Sequence, residues 1–158
     1  MSKIAIFVDV QNIYYTTRDV FAKPFNYRKF WQLMAAKGFI VYANAYAIDR
    51  GDAQQQKFQS ALKHIGFNVK LKPYISRADG SSKGDWDVGI AIDVMEIAAK
   101  VDQVILLSGD GDFDLLLQKV RDVFQVKTHV FSVHKLTAQS LIDASDEYTH
   151  ITEKLLIN

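Results

Sequence analysis

Short runs of β-branched and aromatic residues alternate along this chain with longer segments whose apolar residues recur at helical spacing. The first run, residues 3–8 (KIAIFV), is almost entirely apolar, as expected for a central parallel strand that helices cover on both faces. Strands that alternate with helices form a parallel sheet between two helical layers, and right-handed crossovers limit its topology. The sequence therefore predicts an α/β protein, a three-layer α/β/α sandwich with a mainly parallel, Rossmann-like sheet.

The same patterns place the other elements. Further strands are predicted at residues 40–48, 67–74, 103–107 and 126–133, and helices after the first strand and at residues 26–37, 52–64, 85–100, 113–124 and 137–144. Lys70 and Lys72 share one face of their strand, which is typical of an outer strand with one side in solvent. Residues 76–84 (SRADGSSKG) are predicted to form a flexible loop, and residues 148–157 show no clear pattern.

Composition indicates a single globular domain and excludes several kinds of site. The 158 residues suit one domain over positions 1–158, and 49% hydrophobic with 23% charged residues is usual for a globular protein. The chain has no cysteine, which excludes disulfides, cysteine-ligated zinc and a cysteine nucleophile. Neither a signal peptide nor an apolar segment of membrane-spanning length is found, so we expect a cytoplasmic protein without a membrane partner.

Aspartates follow two of the predicted central strands. Asp9 ends the first strand in FVDVQN, and Asp110 follows residues 103–107 in LLSGDGDFD, with Asp112 two positions later. Asp85 and Asp87 stand at the start of a helix in KGDWDVGIAID. In doubly wound sheets the carboxyl ends of the strands and the starts of the following helices line one crevice. We therefore expect Asp9, Asp87 (or Asp85), Asp110 and Asp112 to converge there.

Several carboxylates in one small volume repel each other unless a cation lies among them. An all-oxygen ligand set suits Mg²⁺ or Mn²⁺, which activate water and stabilise the leaving oxygen of a phosphodiester. Each aspartate alone is also explained by turn formation or helix capping, Asp112 and Asp114 most readily. Capping does not explain why three segments bring acids to one rim, and this favours a functional site.

The three motifs FVDVQN, KGDWDVGIAID and LLSGDGDFDLLL together resemble the NYN domains, and within them the LabA-like branch. The resemblance covers nearly the whole chain, in the expected order and spacing. It implies a PIN-like fold and a ribonuclease that uses Mg²⁺ or Mn²⁺ and acts on RNA. The residues that match the family's motifs are Asp9, Asn12, Asp87, Asp93, Ser108, Asp110 and Asp112, with Asp114 adjacent. The family's middle motif usually reads Lys, one or two residues, then Asp-Val, whereas here Asp85 and Trp86 both stand before Asp87. Asp85 is therefore a second candidate for the metal ligand of this motif.

Other residues near the predicted crevice have supporting roles in this interpretation. Asn12 either orients a water or phosphate or caps the first helix. Asp93 lies in an apolar helix and needs a partner, so we expect it to brace the site without binding metal. A phosphate track is predicted from Lys83, Arg77 and Arg50. Trp86 is a candidate for base stacking, although core packing is more usual for such a residue, and more so for Tyr14 and Tyr15.

A metal-dependent ribonuclease is thus the function predicted first, with Asp9, Asp87, Asp110, Asp112 and Asn12 as its catalytic residues. The main alternative is a non-catalytic RNA-binding or regulatory module. A metal-dependent phosphatase is a weaker alternative, because the haloacid-dehalogenase type needs an aspartate two positions after the nucleophile, where Gln11 stands. A homo-oligomer is compatible with this sequence but is not specified by it.

Overall fold

A six-stranded sheet, parallel throughout, forms the centre of the protein in a computed structural model that describes residues 1–73, 75–76, 82–83 and 85–158. Its strands are β1 (Ser2–Asp9), β2 (Gly38–Asp49), β3 (Asn68–Pro73), β6 (Gln103–Leu107), β7 (Lys127–Ser132) and β8 (Glu147–His150). They lie in the order β3-β2-β1-β6-β7-β8. A separate antiparallel pair joins β4 (Ile75–Ser76) to β5 (Ser82–Lys83).

Within the part of the chain that the structure describes, six α-helices cover the sheet. These are α1 (Val10–Phe21), α2 (Tyr27–Lys37), α3 (Ala53–Ile65), α4 (Asp87–Ile97), α5 (Asp114–Lys119) and α6 (Gln139–Ala144). Buried residues of α1, α2 and α3 belong to one apolar cluster, and those of α4, α5 and α6 belong to another. The predicted three-layer α/β/α sandwich is confirmed.

The central strand β1 explains why the first run of sequence is apolar. Its residues alternate between the two faces, so that Ile4, Ile6 and Val8 join the first cluster, while Ala5 and Phe7 join the second. All five are fully buried. β1 lies between β2 and β6, with Ile4 opposite Ile40 on one side and Gln103 on the other.

Gly38 joins α2 to β2 without a loop. A Cβ atom at this position would lie 2.4 Å from the Ser2 carbonyl oxygen, so only glycine allows β2 to begin this close to β1. The predicted end of the helix at Gly38 is confirmed. Its cause is close backbone packing and not a left-handed conformation, since φ is 179°.

β3 is the outer strand at one edge of the sheet, as predicted, but the face that carries Lys70 and Lys72 is not its solvent side. Both are only half-exposed, and Leu71 on the opposite face is 38% exposed. Lys70 forms an ion pair with Asp93 of α4, and the Lys72 ammonium lies 4.6 Å from the centre of the Trp86 ring. The charged face of β3 is therefore packed against α4, because partners on that helix satisfy its ammonium groups.

Three other elements differ from the sequence prediction. The segment predicted as one helix over 113–124 is α5 followed by a π-helical turn, Val120–Phe124, which ends at Gln125 with φ 56°. The unassigned end of the chain supplies the edge strand β8. The segment predicted as a loop over 76–84 contributes Ser76 to β4 and Ser82–Lys83 to β5, and the remainder lies outside the described residues. Within the described residues, no helix is long and apolar enough to cross a membrane.

Candidate metal centre

Asp9 lies at the carboxyl edge of the sheet, where β1 ends and α1 begins. Its Oδ1 accepts a hydrogen bond from the Asn12 amide at 3.3 Å, which caps α1. Because Val8 pairs with Leu107 of β6, the residues that follow these two strands are neighbours. Ser108, which is fully buried, donates its hydroxyl to Asp9 Oδ2 at 3.1 Å. Asp9 is thus held through both carboxylate oxygens.

Asp110 reaches the same edge from the loop after β6. Its amide donates to Ser108 Oγ at 3.2 Å, and its Oδ1 accepts from the Asp112 amide at 2.9 Å. The Gly109 amide in this loop donates to Asn12 Oδ1 at 2.9 Å. Ser108 and Asn12 therefore tie the loop of Asp110 to the strand end and helix start that position Asp9.

Asp87 is the first residue of α4, which packs in the same layer as α5 and α6. Asp9, Asp87 and Asp110 each present one carboxylate oxygen, and the three oxygens all lie within 4.8 Å of one another. All three residues are half-buried. Three elements that are far apart in sequence thus bring three acidic oxygens to one place, as predicted. We call these three residues the carboxylate cluster.

The carboxylate cluster carries unfavourable negative charge. Burial raises the pKa of Asp9 to about 6, and the charges of Asp110 and Asp85 add to this effect. Burial also raises the pKa of Asp87 to about 7, with further increases from Asp110 and Asp9. Burial is thus the main reason that the ionised forms are disfavoured, and repulsion between the neighbouring carboxylates adds to it. A divalent cation removes this repulsion, and an all-oxygen donor set fits Mg²⁺ or Mn²⁺.

Asp85 and Asp112 lie outside the carboxylate cluster. Asp85 is exposed, and its Oδ1 accepts from the Asp87 amide at 3.2 Å at the start of α4. Asp112 is exposed on a 3-10 turn, Gly111–Phe113. Of the two middle candidates, the geometry therefore favours Asp87 over Asp85. Ligation by Asp112 stays a prediction, and its position gives that prediction no support.

Asp114 and Asn12 have local contacts of their own. Asp114 Oδ1 accepts from the neighbouring Leu115 amide at 2.6 Å, which is an interaction within its own helix start. Asn12 does not cap α1, since Asp9 has that role. The alternative interpretation of Asn12 as a helix cap is therefore wrong. Its side-chain oxygen instead holds the loop of Asp110.

Asp93 has the partners that its burial requires. Its Oδ2 accepts from the Tyr46 hydroxyl and from the Lys70 ammonium, both at 2.7 Å. Burial and the neighbouring Asp93 raise the pKa of Tyr46, so its hydroxyl remains a donor. These bonds attach α4, and with it Asp87, to β2 and β3. Sequence reasoning expected such a brace but did not identify Lys70 or Tyr46, although the alternating lysines of β3 pointed to that face.

The predicted substrate-binding residues have different surroundings. Trp86 is half-buried, its Nε1 donates to the Ala47 carbonyl at 2.9 Å, and its ring lies 5.2 Å from that of Tyr46. Arg50 is exposed, and its Nη2 donates to the Tyr15 hydroxyl at 3.5 Å. Arg77 lies outside the described residues, and so does the side chain of Lys83. Sequence reasoning missed Arg18, which lies over the rings of both Tyr14 and Tyr15.

Comparison with known proteins adds three findings. The family described as NYN domain matches residues 3–152. The protein named Low amplitude and bright protein LabA, from Synechococcus elongatus, is 29% identical over 160 residues, which cover 96% of this chain and 85% of LabA. A crystal structure of a protein of unknown function from Vibrio parahaemolyticus is 49% identical with a TM-score of 0.94, and the match covers 99% of this chain and 96% of that one. These likenesses extend over the whole sheet and are not limited to the strands around the carboxylate cluster.

Proposed function

The chain belongs to the NYN domain family, and from that membership we propose that it is a metal-dependent ribonuclease which hydrolyses RNA phosphodiesters. The observation that carries the proposal is the carboxylate cluster of Asp9, Asp87 and Asp110, whose oxygens lie within 4.8 Å of one another at the carboxyl edge of a nuclease-type fold. Crevices at this edge are where doubly wound sheets bind their ligands.

Asp9, Asp87 and Asp110 are the residues that would hold Mg²⁺ or Mn²⁺. A bound divalent cation supplies activation of a water molecule and stabilisation of the leaving oxygen of a phosphodiester. Ser108 fixes Asp9 by donating to Oδ2, and it fixes Asp110 by accepting that residue's amide. Asn12 holds the intervening Gly109 amide. Positioning groups of this kind keep ligands in place before the ion arrives and so increase its affinity.

The proposal takes Arg50, Lys83 and Arg77 as substrate-binding residues. Arg50 follows the end of β2, and Lys83 and Arg77 belong to the segment between β3 and α4. Cations beside an acidic, metal-neutralised centre suit a polyanionic strand, because phosphates on either side of the cleaved bond need countercharge. The absence of cysteine is compatible with action in the cytoplasm.

The proposal is tested by incubating labelled single-stranded RNA and DNA with the purified protein in Mn²⁺, Mg²⁺ or EDTA. Asp9→Asn and Asp110→Asn are the test variants. Asp122→Asn is a matched control, since its side chain is 70% exposed and lies on the π-helical turn away from the carboxylate cluster. We expect metal-dependent cleavage of RNA by the wild type and by the control, and at least a hundredfold loss in both test variants, on the scale of losing a principal electrostatic contact.

Cleavage that survives in both test variants would identify a contaminating nuclease and overturn the assignment. Binding of RNA without cleavage in any metal would favour a non-catalytic RNA-binding or regulatory module. In all variants, circular dichroism and thermal unfolding establish that a loss of activity is not a loss of fold.

A further inference from the structure

Two tyrosines and an arginine form a compact group on the surface of α1. Tyr14 is 55% exposed and Tyr15 is half-exposed, and their rings meet edge to face at 5.2 Å. The guanidinium of Arg18 lies 4.8 Å from the centre of the Tyr15 ring and 5.5 Å from that of Tyr14. We call Tyr14, Tyr15 and Arg18 the α1 platform.

Neighbouring residues hold the α1 platform in place. Arg18 donates from Nε and Nη2 to Asp19 Oδ1, at 3.1 and 3.0 Å. A guanidinium has five N–H donors, so an Arg18 bonded in this way retains donors for an anion. Arg50, beyond the end of β2, donates to the Tyr15 hydroxyl at 3.5 Å. Tyr15 is thus connected to the residue that follows β2 as well as to α1.

The α1 platform lies next to the carboxylate cluster, because Asp9 is the residue that caps α1. Tyr14 follows Asp9 by five residues, which corresponds to about 7.5 Å along a helix that rises 1.5 Å per residue. Arg18 follows Asp9 by nine residues, about 13.5 Å along the same helix, so a single strand that runs along α1 from the carboxylate cluster reaches Tyr14 before Arg18. Exposed aromatic rings with a cation beside them are the features that bind single strands, since bases stack on rings and phosphates bind cations.

Fold stability does not account for the α1 platform. The buried face of α1 consists of Val10, Ile13, Thr16 and Thr17, and Tyr14 is not part of it. A cation beside an exposed ring contributes only about 0.5–1 kcal/mol. Neither packing nor that interaction requires two adjacent tyrosines beside an arginine on α1.

We propose that the α1 platform binds single-stranded nucleic acid, with a base stacked on Tyr14 and a phosphate on Arg18, and so guides the strand to the carboxylate cluster. This proposal rests on the proposed function for its choice of ligand. It selects unpaired strands over duplexes, because the faces of paired bases are covered by their neighbours in the stack.

Fluorescence anisotropy with labelled single strands of RNA and of DNA, each about 12 nucleotides long, tests the proposal in EDTA, where no metal-dependent cleavage occurs. Tyr14→Ala and Arg18→Ala are the test variants, and Tyr14→Phe retains the ring. Phe39→Ala is the matched control, since Phe39 is an aromatic residue that is 58% exposed at the start of β2, on the opposite edge of the sheet. Every variant keeps the carboxylate cluster, so its repulsion of the strand is common to all.

We expect Tyr14→Ala to raise the Kd by about 5- to 150-fold, the range for loss of one stacked base, and Arg18→Ala to raise it as well. Tyr14→Phe and Phe39→Ala should bind as the wild type does. Equal affinities for RNA and DNA would mean that the α1 platform recognises stacking and phosphate alone, and tighter RNA binding would add a contact to the sugar; both support the proposal.

The proposal is overturned if Tyr14→Ala binds like the wild type, or if the wild type binds neither strand. These outcomes are separate from those of the cleavage assay. Weaker binding by Tyr14→Ala in a protein that cuts no RNA would keep the α1 platform and reject the ribonuclease. Unchanged binding in a protein that does cut RNA would reject only the α1 platform.

Discussion

Asp9 has three roles that depend on one side chain. It ends β1, it caps α1 through Oδ1, and it presents a carboxylate oxygen to Asp87 and Asp110. Its bonds to the Asn12 amide and the Ser108 hydroxyl lower its pKa, but burial outweighs them. The fold therefore holds this carboxylate where its negative charge is unfavourable until a cation is bound.

The raised pKa values predict that the stability of the metal-free protein depends on pH. Asp9 and Asp87 have folded pKa values of about 6 and about 7, above the ordinary value of 3.8. A raised folded pKa means that stability is greatest below the unfolded pKa and falls as the pH rises through the folded value. In EDTA we expect the Tm to decrease from pH 4 to pH 8 through these two groups.

Asp87→Asn tests this dependence. The variant should unfold a few degrees above the wild type at pH 8 in EDTA, because it removes a charge that burial and the neighbouring carboxylates disfavour, and should gain nothing at pH 4.5. Thermal unfolding at both pH values measures the difference, with Asp122→Asn as the control. An identical Tm for Asp87→Asn and the wild type at pH 8 would mean that the cluster carries no net repulsion.

Ser108 should affect metal affinity without being a ligand. Ser108→Ala removes the donor to Asp9 Oδ2 and the acceptor of the Asp110 amide. Loss of a group that orients ligands typically costs about 10- to 100-fold in metal affinity, and we expect this for Mn²⁺ measured by calorimetry. Ser60→Ala, an exposed serine on α3, should bind Mn²⁺ normally. Normal affinity in Ser108→Ala would show that the cluster positions itself without the serine.

The aspartates of the site show which positions can be predicted from sequence and which cannot. Asp9, Asp87 and Asp110 were predicted to converge because strand ends and helix starts share an edge in parallel sheets, and they do converge. Asp112 was predicted to join them and does not. The direction of its side chain depends on a 3-10 turn that Asp110 caps, and sequence spacing does not specify such a turn.

Among the elements, α4 shows how a helix that carries a ligand is attached to its sheet. Ile90, Val94 and Ile97 pack into the second cluster, while Asp93 bonds Tyr46 of β2 and Lys70 of β3. The sequence predicted that Asp93 needs a partner. It did not reveal which one, because the alternation of charged residues in β3 is the same whether that face contacts water or a helix.

Lys70→Ala should therefore destabilise the fold. The change leaves Asp93, whose side chain is 17% exposed, with Tyr46 as its remaining partner. We expect a loss of about 1–2 kcal/mol in the free energy of unfolding, below the value for fully buried pairs because solvent reaches this one. Urea unfolding measures the loss, and Lys63→Ala, an exposed change on α3, is the control. If the two variants prove equally stable, the pair does not brace α4.

For the whole molecule, the two apolar clusters have β1 in common, since Ile4 and Ile6 face one cluster and Ala5 and Phe7 face the other. We therefore predict that residues 1–158 unfold as one domain in a single transition. The chain has two tryptophans, and they report on different layers: Trp31 packs against the first cluster and Trp86 against the second.

Single-tryptophan variants, Trp31→Phe and Trp86→Phe, make this prediction measurable. In each variant, the fluorescence midpoint in urea should coincide with the midpoint from circular dichroism. Separate fluorescence and circular dichroism midpoints within one variant would show that the two layers unfold independently, and the expectation of one domain would then be wrong.

The layers and the central strands were predictable because continuous apolar runs such as that of β1 fit only a sheet covered on both faces. β8 was not predicted. It is a short edge strand with one neighbour, whose residues are half-buried or exposed, so its sequence lacks the apolar run that marks buried strands. At the edge, pairing with β7 decides the conformation and local pattern does not.

The central place of β1 also has a consequence for the order of events on the ribosome. β1 pairs with β6, and Ile4 lies opposite Gln103, so roughly 100 residues must be translated before this partner exists. At about 5–20 residues per second, this takes about 5–20 s. During that interval the apolar residues of this central strand have only β2 beside them, and we expect the nascent chain to bind chaperones that shield hydrophobic segments.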